Sequence, residues 1–526
     1  MKKFALLLNQ LYFTYGSLDK RTLIEHFFSV TPDPERGYAL AIMANSIKFP
    51  QFKRSFIKKL IHEKIDSTLF YLSYDYVGDL SETISLIWPV EMNHGDLPLL
   101  SEVIRKFETL DEQELYPYLV HLLDSSNPNE RWSILKLITG EMRIGISTRF
   151  LKNTLAHYGK VDVQEVEDVW HSQSPPYEAL FSWLEKKNTK PETSSIYFRP
   201  VMLSHPLNEN DLLSINLEEF AVEKKYDGIR VQLAVFNNEK ALFTRTGENI
   251  SHSFPEILSQ IQGNIVLDGE LVIKNSSGLG SFNDLQQRLN RKILPKKLLE
   301  TQTAGLIAYD ILFLDHLDLR SYSFVHRREQ LEKWFSTSAP DNFLISPLLS
   351  LKKDQTLPQL REEVLQENPS NVEGIMLKKN SSLYLAGRPK GCWYKWKKDP
   401  HLIDAILMYA QRGHGKRSSY YSDYTFGLWS QNQLLPIGKA YFGFTDEELY
   451  QLDKWIRYHT LNHFGPVREV QKELVLEIAF DAVNTSNRHK SGVALRFPRI
   501  NRIRWDKPPE EADQLEDLKK LIKNKK

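Results

Sequence analysis

At 526 residues the chain is too long for one hydrophobic core and is expected to divide into roughly three domains. A hydrophobic share of 41% and an aromatic share of 11% exclude large-scale disorder, and no apolar run is long enough to span a bilayer. The net charge of +1 hides local basic density, while Cys392, the only cysteine, excludes an internal disulfide and a cysteine-clustered zinc site, so a reduced, cytoplasmic setting is expected.

Met1-Lys2-Lys3 followed by Phe4 to Leu8 imitates a secretion signal, but the apolar stretch is short, runs into Asn9 and Gln10, and meets no small-residue cleavage site; it reads as a first helix. The first two hundred residues are mainly helical in pattern, with Leu99 to Phe107 and Arg131 to Ile138 spaced as amphipathic helices. Between them and the next helix, Thr139 to Ser147 forms a glycine-interrupted turn with Ser147 as a helix cap. Its backbone and Arg143 suit contact with a phosphate chain, and an internal helical hairpin is an equal reading. From about Phe198 the pattern becomes short strands: Ile229 to Phe236, Lys240 to Thr244 and Ile265 to Ile273. This region should end near Lys398-Asp399-Pro400, giving expected domains at 1–197, 198–399 and 400–526. The third runs from His401 to Met408 through a polar loop, Gln411 to Ser419, into strands Tyr424 to Trp429 and Leu474 to Phe480. Such strands suit a small Greek-key barrel, although the pattern alone does not separate it from another compact β domain. Pro508 to Lys526 reads as a terminal helix.

The chemistry centres on Glu223-Lys224-Lys225-Tyr226-Asp227-Gly228-Ile229-Arg230. Lys225 is the candidate nucleophile toward a nucleotide phosphate; with a reference pKa of about 10.4, a lysine needs nearby cations, a metal-bound phosphate or desolvation to act so. Alone, the octet reads more readily as a hairpin Asp-Gly with a solvated lysine beside it. Further clusters add to it. Arg245 suits a ribose or an incoming phosphate, and Glu270, in Asp268-Gly269-Glu270, suits a place beside metal-bound phosphates. Tyr309 offers a flat surface for a purine or a core contact, with Asp310 directed away to brace the sheet. Glu373 and Lys378 are five residues apart, an odd separation, so a bend at Glu373-Gly374 must redirect Glu373 if both serve one pocket. Lys395 and Lys397 share one face of the strand Trp393-Tyr394-Lys395-Trp396-Lys397, directed at a triphosphate. Magnesium, with manganese as a substitute, suits this mixture of carboxylates and phosphate oxygens, and the protein need provide only one or two ligands.

In order and content these motifs resemble those of the ATP-dependent DNA ligases: Lys225 to Arg230; Thr244-Arg245-Thr246-Gly247; Asp268-Gly269-Glu270; Ala308 to Leu312; Glu373 to Lys378 with Trp393 to Lys397; and Arg496-Phe497-Pro498-Arg499 through Asp506-Lys507. The resemblance covers practically the whole chain. It implies a multidomain α+β protein with a helical DNA-binding domain, a mixed α/β nucleotidyltransferase (adenylation) domain and a β-barrel OB-fold domain. It further implies ATP as cofactor, Lys225 as the adenylated residue, Glu223 in adenine recognition, Arg230 and Arg245 on nucleotide or nick phosphate, Glu270 and Glu373 as the metal ligands with Glu270 beside the nucleotide, Tyr309 stacked on adenine, and Lys378, Lys395 and Lys397 in the nucleotide pocket. Arg496 would approach ATP during self-adenylation. The expected partner is nicked double-stranded DNA, with repair, replication or recombination as settings and unidentified repair proteins as companions. The protein is expected to act as a monomer without a membrane, near the nucleoid if bacterial. Thr244, Thr246, Tyr309 and Trp396 depart from the family's frequent residues while keeping their character. RNA ligases and capping nucleotidyltransferases share the lysine motif, but the long helical region before Lys225 and the Arg-Phe-Pro-Arg ending favour a DNA ligase. Against an NAD-dependent enzyme stands the single cysteine; a catalytically silent DNA-end scaffold would form no lysine adduct.

Overall fold

The computed structural model describes residues 1–526 except 78, 90–94, 141, 143, 171, 192–195, 276–277, 281, 290–294, 296–298, 300, 368–370, 413–419, 442–444, 488 and 524–526. Arg143 and most of the loop from Gln411 to Ser419 therefore lie outside the described residues. Contacts group the chain into two compact units, one of residues 1–166, 173–191 and 400–526, the other of 167–172 and 192–399.

In the first unit, helix ends follow their side-chain chemistry. Asn127 accepts a hydrogen bond from the Glu130 N–H at 3.0 Å and Glu130 reaches back to the Asn127 N–H at 2.9 Å, opening the helix Pro128–Thr139, which stops at Gly140 in the left-handed region. Ser147 caps the helix Thr148–Gly159 by accepting from the Phe150 N–H. The helix Leu100–Thr109 buries Leu100, Val103, Ile104 and Phe107, the stripe its spacing predicts. The helix Pro128–Thr139 departs from the amphipathic expectation, being buried at every position from Arg131 through Ile138. Two of its polar residues find partners inside the protein, Arg131 Nε donating to the Leu123 carbonyl at 2.7 Å and Lys136 Nζ to Asp79 at 2.7 Å, while Arg131 Nη2 is buried without a hydrogen bond.

Buried Arg36 ties early and late helices together. It donates to Asp33 at 2.8 Å, to the Phe28 carbonyl at 3.1 Å and to Glu185, and it lies over the Phe181 ring. Arg36, helped by Lys187 and Tyr158, holds the Glu185 carboxyl down at about 2. A carboxylate depressed below its unfolded value of about 4.5 stabilises the fold above that pH, and the contribution is lost as pH falls through about 2. Arg36→Met should therefore destabilise the protein at neutral pH by roughly 2 to 4 kcal/mol. The wild-type advantage in denaturant unfolding should shrink between pH 4.5 and 2; a pH-independent difference would remove the assigned charge coupling.

The C-terminal part of this unit and the strands of the second are numbered together in chain order. In the second unit these are β1 (His205–Pro206), β2 (Phe220–Tyr226), β3 (Ile229–Phe236), β4 (Glu239–Thr244), β5 (Ile265–Asn275), β6 (Gly278–Leu279), β7 (Thr303–Leu314), β8 (Leu317–Asp318), β9 (Phe343–Ile345), β10 (Leu348–Leu349), β11 (Val372–Lys379) and β12 (Trp393–Lys397). In the first unit they continue as β13 (His401–Arg412), β14 (Tyr421–Ser430), β15 (Gln433–Tyr441), β16 (Thr460–Phe464), β17 (Val467–Val470), β18 (Val475–Phe480), β19 (Ala482–Thr485), β20 (Val493–Arg496) and β21 (Arg499–Arg504).

Strands β14, β15, β21, β18 and β13 pair in that order, and β13 pairs again with β14, so the sheet closes into a five-stranded barrel. Tyr424, Phe426, Leu428, Leu476, Ile478 and Phe480 fill it, joined by Leu452 and Ile456 from the helix Asp446–Tyr458 and by Leu515 and Leu518 from the terminal helix Leu515–Lys523. Closure removes the exposed edges that so short a set of strands would otherwise leave.

The second unit contains two sheets. One runs β1-β12-β11-β2-β10; the other runs β4-β3-β5-β7-β8, with β6 on β5 and β9 on β7. Alternation sorts the side chains. On the first sheet, Val222, Ile375 and Leu377 pack with Leu357, Leu360 and Val364 of the helix Leu357–Glu367, leaving the opposite face for Glu223, Lys225, Lys378, Lys395 and Lys397. On the second, Val231, Leu233, Leu267 and Leu271 form one core, while Ala234, Phe236, Val266 and Leu312 meet Tyr384 and Trp393 in another. The polar residues of even number on β3 and β5 thus turn toward the first sheet.

Candidate active site

Asp227 and Gly228 form no hairpin. β2 belongs to one sheet and β3 to the other, so the two residues carry the chain across the gap between them. The crossing is tight: a Cβ on Gly228 would lie 2.4 Å from the Leu271 carbonyl oxygen and 2.7 Å from Glu270 Cγ, so glycine is the residue that permits the passage. Consequently Lys225 and Arg230, five residues apart, reach the same cleft from opposite walls.

Lys225 Nζ is 2.6 Å from Glu373 Oε1, and Lys397 Nζ is 2.8 Å from Glu373 Oε2. Glu373 reaches them because it is the extra residue of a β-bulge: Val372 pairs with Tyr226 and Gly374 with Lys225, leaving Glu373 without a partner of its own. This is the bend that the odd spacing to Lys378 demands, and Gly374, at φ +149°, makes it. Burial pushes the Glu373 carboxyl up, but Lys225 and Lys397 outweigh it and hold the group below its ordinary value. Lys395 is lowered by burial first, then by the charges of Lys225, Lys397, Arg388 and Arg245, which brings the exposed Arg245 within electrostatic reach of the cluster. Glu270 is pushed up to about 7, mainly by burial and also by the charges of Glu373 and Asp268, against Lys225 and Arg230.

Deeper in the cleft, Glu223 Oε2 is 2.8 Å from Lys378 Nζ, and Lys378 also donates to the Tyr309 carbonyl at 3.1 Å and lies 4.5 Å from its ring centre. Glu223 Oε1 is buried without a hydrogen-bond partner, with Arg328 Nη1 at 3.5 Å. Burial raises the Glu223 carboxyl, opposed by Lys378 and Arg328. Tyr309 enters the cleft by a second bulge: Asp268 pairs with Asp310 and Gly269 with Ala308, so Tyr309 is the inserted residue. Its neighbour Asp310 turns away and is gripped by Arg327 at 2.8 and 3.0 Å, the bracing role read from the sequence.

Arg230 is held at the cleft by a buried carboxylate. Its Nε and Nη2 bind the two oxygens of buried Asp268 at 3.0 and 2.7 Å, and Nη2 lies 3.3 Å from the Tyr384 hydroxyl, which itself donates to Asp268 at 2.6 Å. Burial disfavours this charge, but Asp268 more than offsets it and keeps the guanidinium protonated. Arg496, at the end of β20 opposite Ala482, belongs to the first unit and lies 5.3 Å from the Phe497 ring.

Sequence reasoning missed Asp268, Tyr384, Arg328 and Arg361. Asp268 had a signal, since it stands two residues from Glu270 on one strand. The others had none, because their partners are remote in the chain. Arg361 is buried beneath β12, donates to the Lys397 carbonyl at 3.1 and 2.7 Å and to Asp399 at 3.1 Å, and lies 4.9 Å from the Trp396 ring. It thereby fixes the strand end that carries Lys397. With Lys225 as the adenylated residue that the motif resemblance implies, Arg361→Ala should slow its adenylation roughly 10- to 100-fold, as expected for a displacement of about 1 Å. Arg361→Lys should recover little of that rate, because an ammonium cannot span these acceptors as a guanidinium fork does. Single-turnover labelling with ATP measures both; a wild-type rate in Arg361→Ala would exclude the positioning role. Two departures from family residues are also accounted for: Trp396 packs on Arg361, and the Thr244 hydroxyl meets that of Thr246 at 3.1 Å and accepts from the Glu248 N–H at 3.2 Å, closing the turn that carries Arg245.

Among the described residues no three His, Cys, Asp or Glu side chains converge to hold a metal. Glu270, raised mainly by burial, lies within electrostatic reach of Glu373, and two such carboxylates suit a hard cation that takes its other ligands from phosphate and water. Nor is any helix among them long and apolar enough to cross a membrane.

Comparison with known proteins agrees with this chemistry. A family model for the ATP dependent DNA ligase domain matches residues 201–397, and one for the ATP dependent DNA ligase C terminal region matches 417–507. A probable DNA ligase of Koribacter versatilis is 33% identical over 428 residues, covering 77% of this chain and 74% of that protein. DNA ligase 1 of Korarchaeum cryptofilum is 30% identical over 408 residues, covering 75% and 72%. The solved structure Pmar-Lig_PreS3 covers 95% of this chain and 99% of its own with a TM-score of 0.59 at 17% identity, a likeness of fold alone. With relatives this similar over about three quarters of its length and both ligase regions matched in order, the chain belongs to the ATP-dependent DNA ligase family.

Proposed function

We propose that Lys225 carries AMP while this enzyme seals 5′-phosphate/3′-hydroxyl nicks in duplex DNA. The observation that carries the proposal is the Lys225 amine, 21% exposed, hydrogen-bonded to Glu373 in a cleft whose other charges are Lys395, Lys397 and Glu270. Lys225 Nζ attacks the α-phosphorus of ATP; the N–P bond forms as the bond to pyrophosphate breaks, and Glu373 Oε1 is the nearest carboxylate to which the amine proton can pass. Lys395 and Lys397 offset the charge gathering on pyrophosphate. AMP then moves to the 5′-phosphate of the nick, and the 3′-hydroxyl displaces it to form the phosphodiester. Each step depends on aligning a nucleophile with its leaving group more than on a strong base.

Glu223 supports adenine recognition because its unsatisfied buried oxygen calls for an N–H donor, and Tyr309 supplies the adjoining ring. Arg245 is the exposed cation proposed for phosphate contact, Lys378 holds Glu223, and Arg230 positions the floor of the cleft through Asp268. Glu270 and Glu373 would hold magnesium or manganese, which when bound neutralises phosphate charge. Arg496, the three-part division at 1–197, 198–399 and 400–526, monomeric action and a place near the nucleoid complete the proposal. The test is intact-protein mass after incubation with ATP and magnesium, followed by nicked DNA. One added AMP that disappears as nicks close is expected; no adduct from ATP, GTP or NAD in protein shown to be unadenylated would overturn it.

A further inference from the structure

We propose that the outer face of the helix Asp446–Tyr458 binds unpaired nucleotides of single-stranded DNA, a ligand additional to the nicked duplex. Leu452 and Ile456 of this helix are wholly buried in the barrel, which fixes the opposite side toward solvent. On that side stand Tyr450, Lys454 and Tyr458, four residues apart and so roughly 6 Å apart along one stripe. Tyr450 is 62% exposed and Tyr458 76%. Lys454 is exposed and makes no ion pair among the described residues. The stripe therefore alternates ring, cation, ring, as a nucleic acid strand alternates flat base and anionic phosphate.

Two open cavities flank the ladder and share Lys454 and Tyr458. One extends to Tyr420 and Arg457. The other extends to Trp505, 48% exposed, and to Trp455, whose ring stacks on His459 at 4.2 Å and 7°. His459 Nδ1 is also 2.8 Å from the Trp455 carbonyl, so this flat surface is held in place before any ligand arrives. Asp453 is the only acid among the described lining residues, and it is paired with Arg457 at 2.6 Å. With Arg457 offset by Asp453, the described lining carries one cation, Lys454, between exposed rings, a combination complementary to a phosphate flanked by free base faces, while exposed Glu447 marks the acidic end of the stripe. A duplex hides those faces in its stack and would meet Lys454 alone; an aliphatic peptide would leave the lysine without a counter-charge.

The test uses the full chain and a fluorescein-labelled oligo(dT) of about 12 nucleotides, with anisotropy as readout. Tyr450→Ala combined with Tyr458→Ala should weaken binding by roughly 100-fold, at about 10-fold per lost stack, and phenylalanine at both positions should restore most of it. Lys454→Gln should flatten the dependence of log affinity on log salt by about 0.7. Sealing of an unbranched nicked duplex should stay at the wild-type rate in every variant. Wild-type oligo(dT) affinity in the double alanine variant would overturn the proposal, and so would equal losses for oligo(dT) and nicked duplex. Tyr458→Ser, at the most exposed ring, supplies the same comparison if the double variant fails to fold. Lysine adenylation is read separately in each protein, so a failed ligase reading and a failed single-strand site give different results.

Discussion

Lys225→Ala should take up no AMP from ATP, with adduct formation falling on the order of 10⁴-fold or more, because the variant lacks the atom proposed to form the N–P bond. Lys225→Arg should fail as completely while keeping a cation opposite Glu373, since a guanidinium stays protonated and cannot attack. Loss of adduct in the arginine variant therefore reports chemistry and not the loss of the ion pair. In the final step the 3′-hydroxyl displaces AMP already on the DNA and Lys225 forms no bond, so both variants should still seal a nick prepared with AMP on its 5′-phosphate. Intact mass and gel-resolved sealing measure the two halves. An AMP adduct of wild-type yield on Lys225→Arg would move the nucleophile elsewhere.

Gly374→Ala should be the most damaging single methyl group in the second unit. A Cβ there would stand 2.0 Å from the Trp396 carbonyl oxygen and 2.7 Å from Lys397 Cα, and the residue holds φ at +149°. Backbone atoms on β12 cannot step aside as a flexible side chain can, so β11 and β12 must separate at the point where Gly374 pairs with Lys397. The strained φ and the overlap together should cost roughly 2 to 5 kcal/mol. The same movement withdraws Glu373 from Lys225 and Lys397, so adenylation should fall beyond what the unfolded fraction explains. Gly391→Ala is the control: its φ is +73° but no atom lies within 4 Å of an added Cβ, so about 1 kcal/mol is expected. Equal unfolding midpoints for the two variants would dismiss the close approach of the strands as the cause.

Legibility in the sequence followed the range of the interaction. Strand β3 runs from Ile229 to Phe236 as its alternation predicts, and the Ser147 cap and the shared face of Lys395 and Lys397 were also readable, because each depends on residues a few positions apart. The buried polar side of Pro128–Thr139 was not, since whether Lys136 meets water or Asp79 is decided by packing. The pairing of Arg230 with Asp268 and Tyr384 was unread for the same reason.

By itself the sequence determined the candidate nucleophile, the order of motifs around it and the helical, mixed and barrel character of successive regions, since residue type and short periodicity carry that information. Only the tertiary structure decided that Asp227-Gly228 crosses between sheets and that bulges at Glu373 and Tyr309 turn both residues into the cleft. A bulge is a mismatch between two strands, and its position depends on the register of a partner far away in the chain.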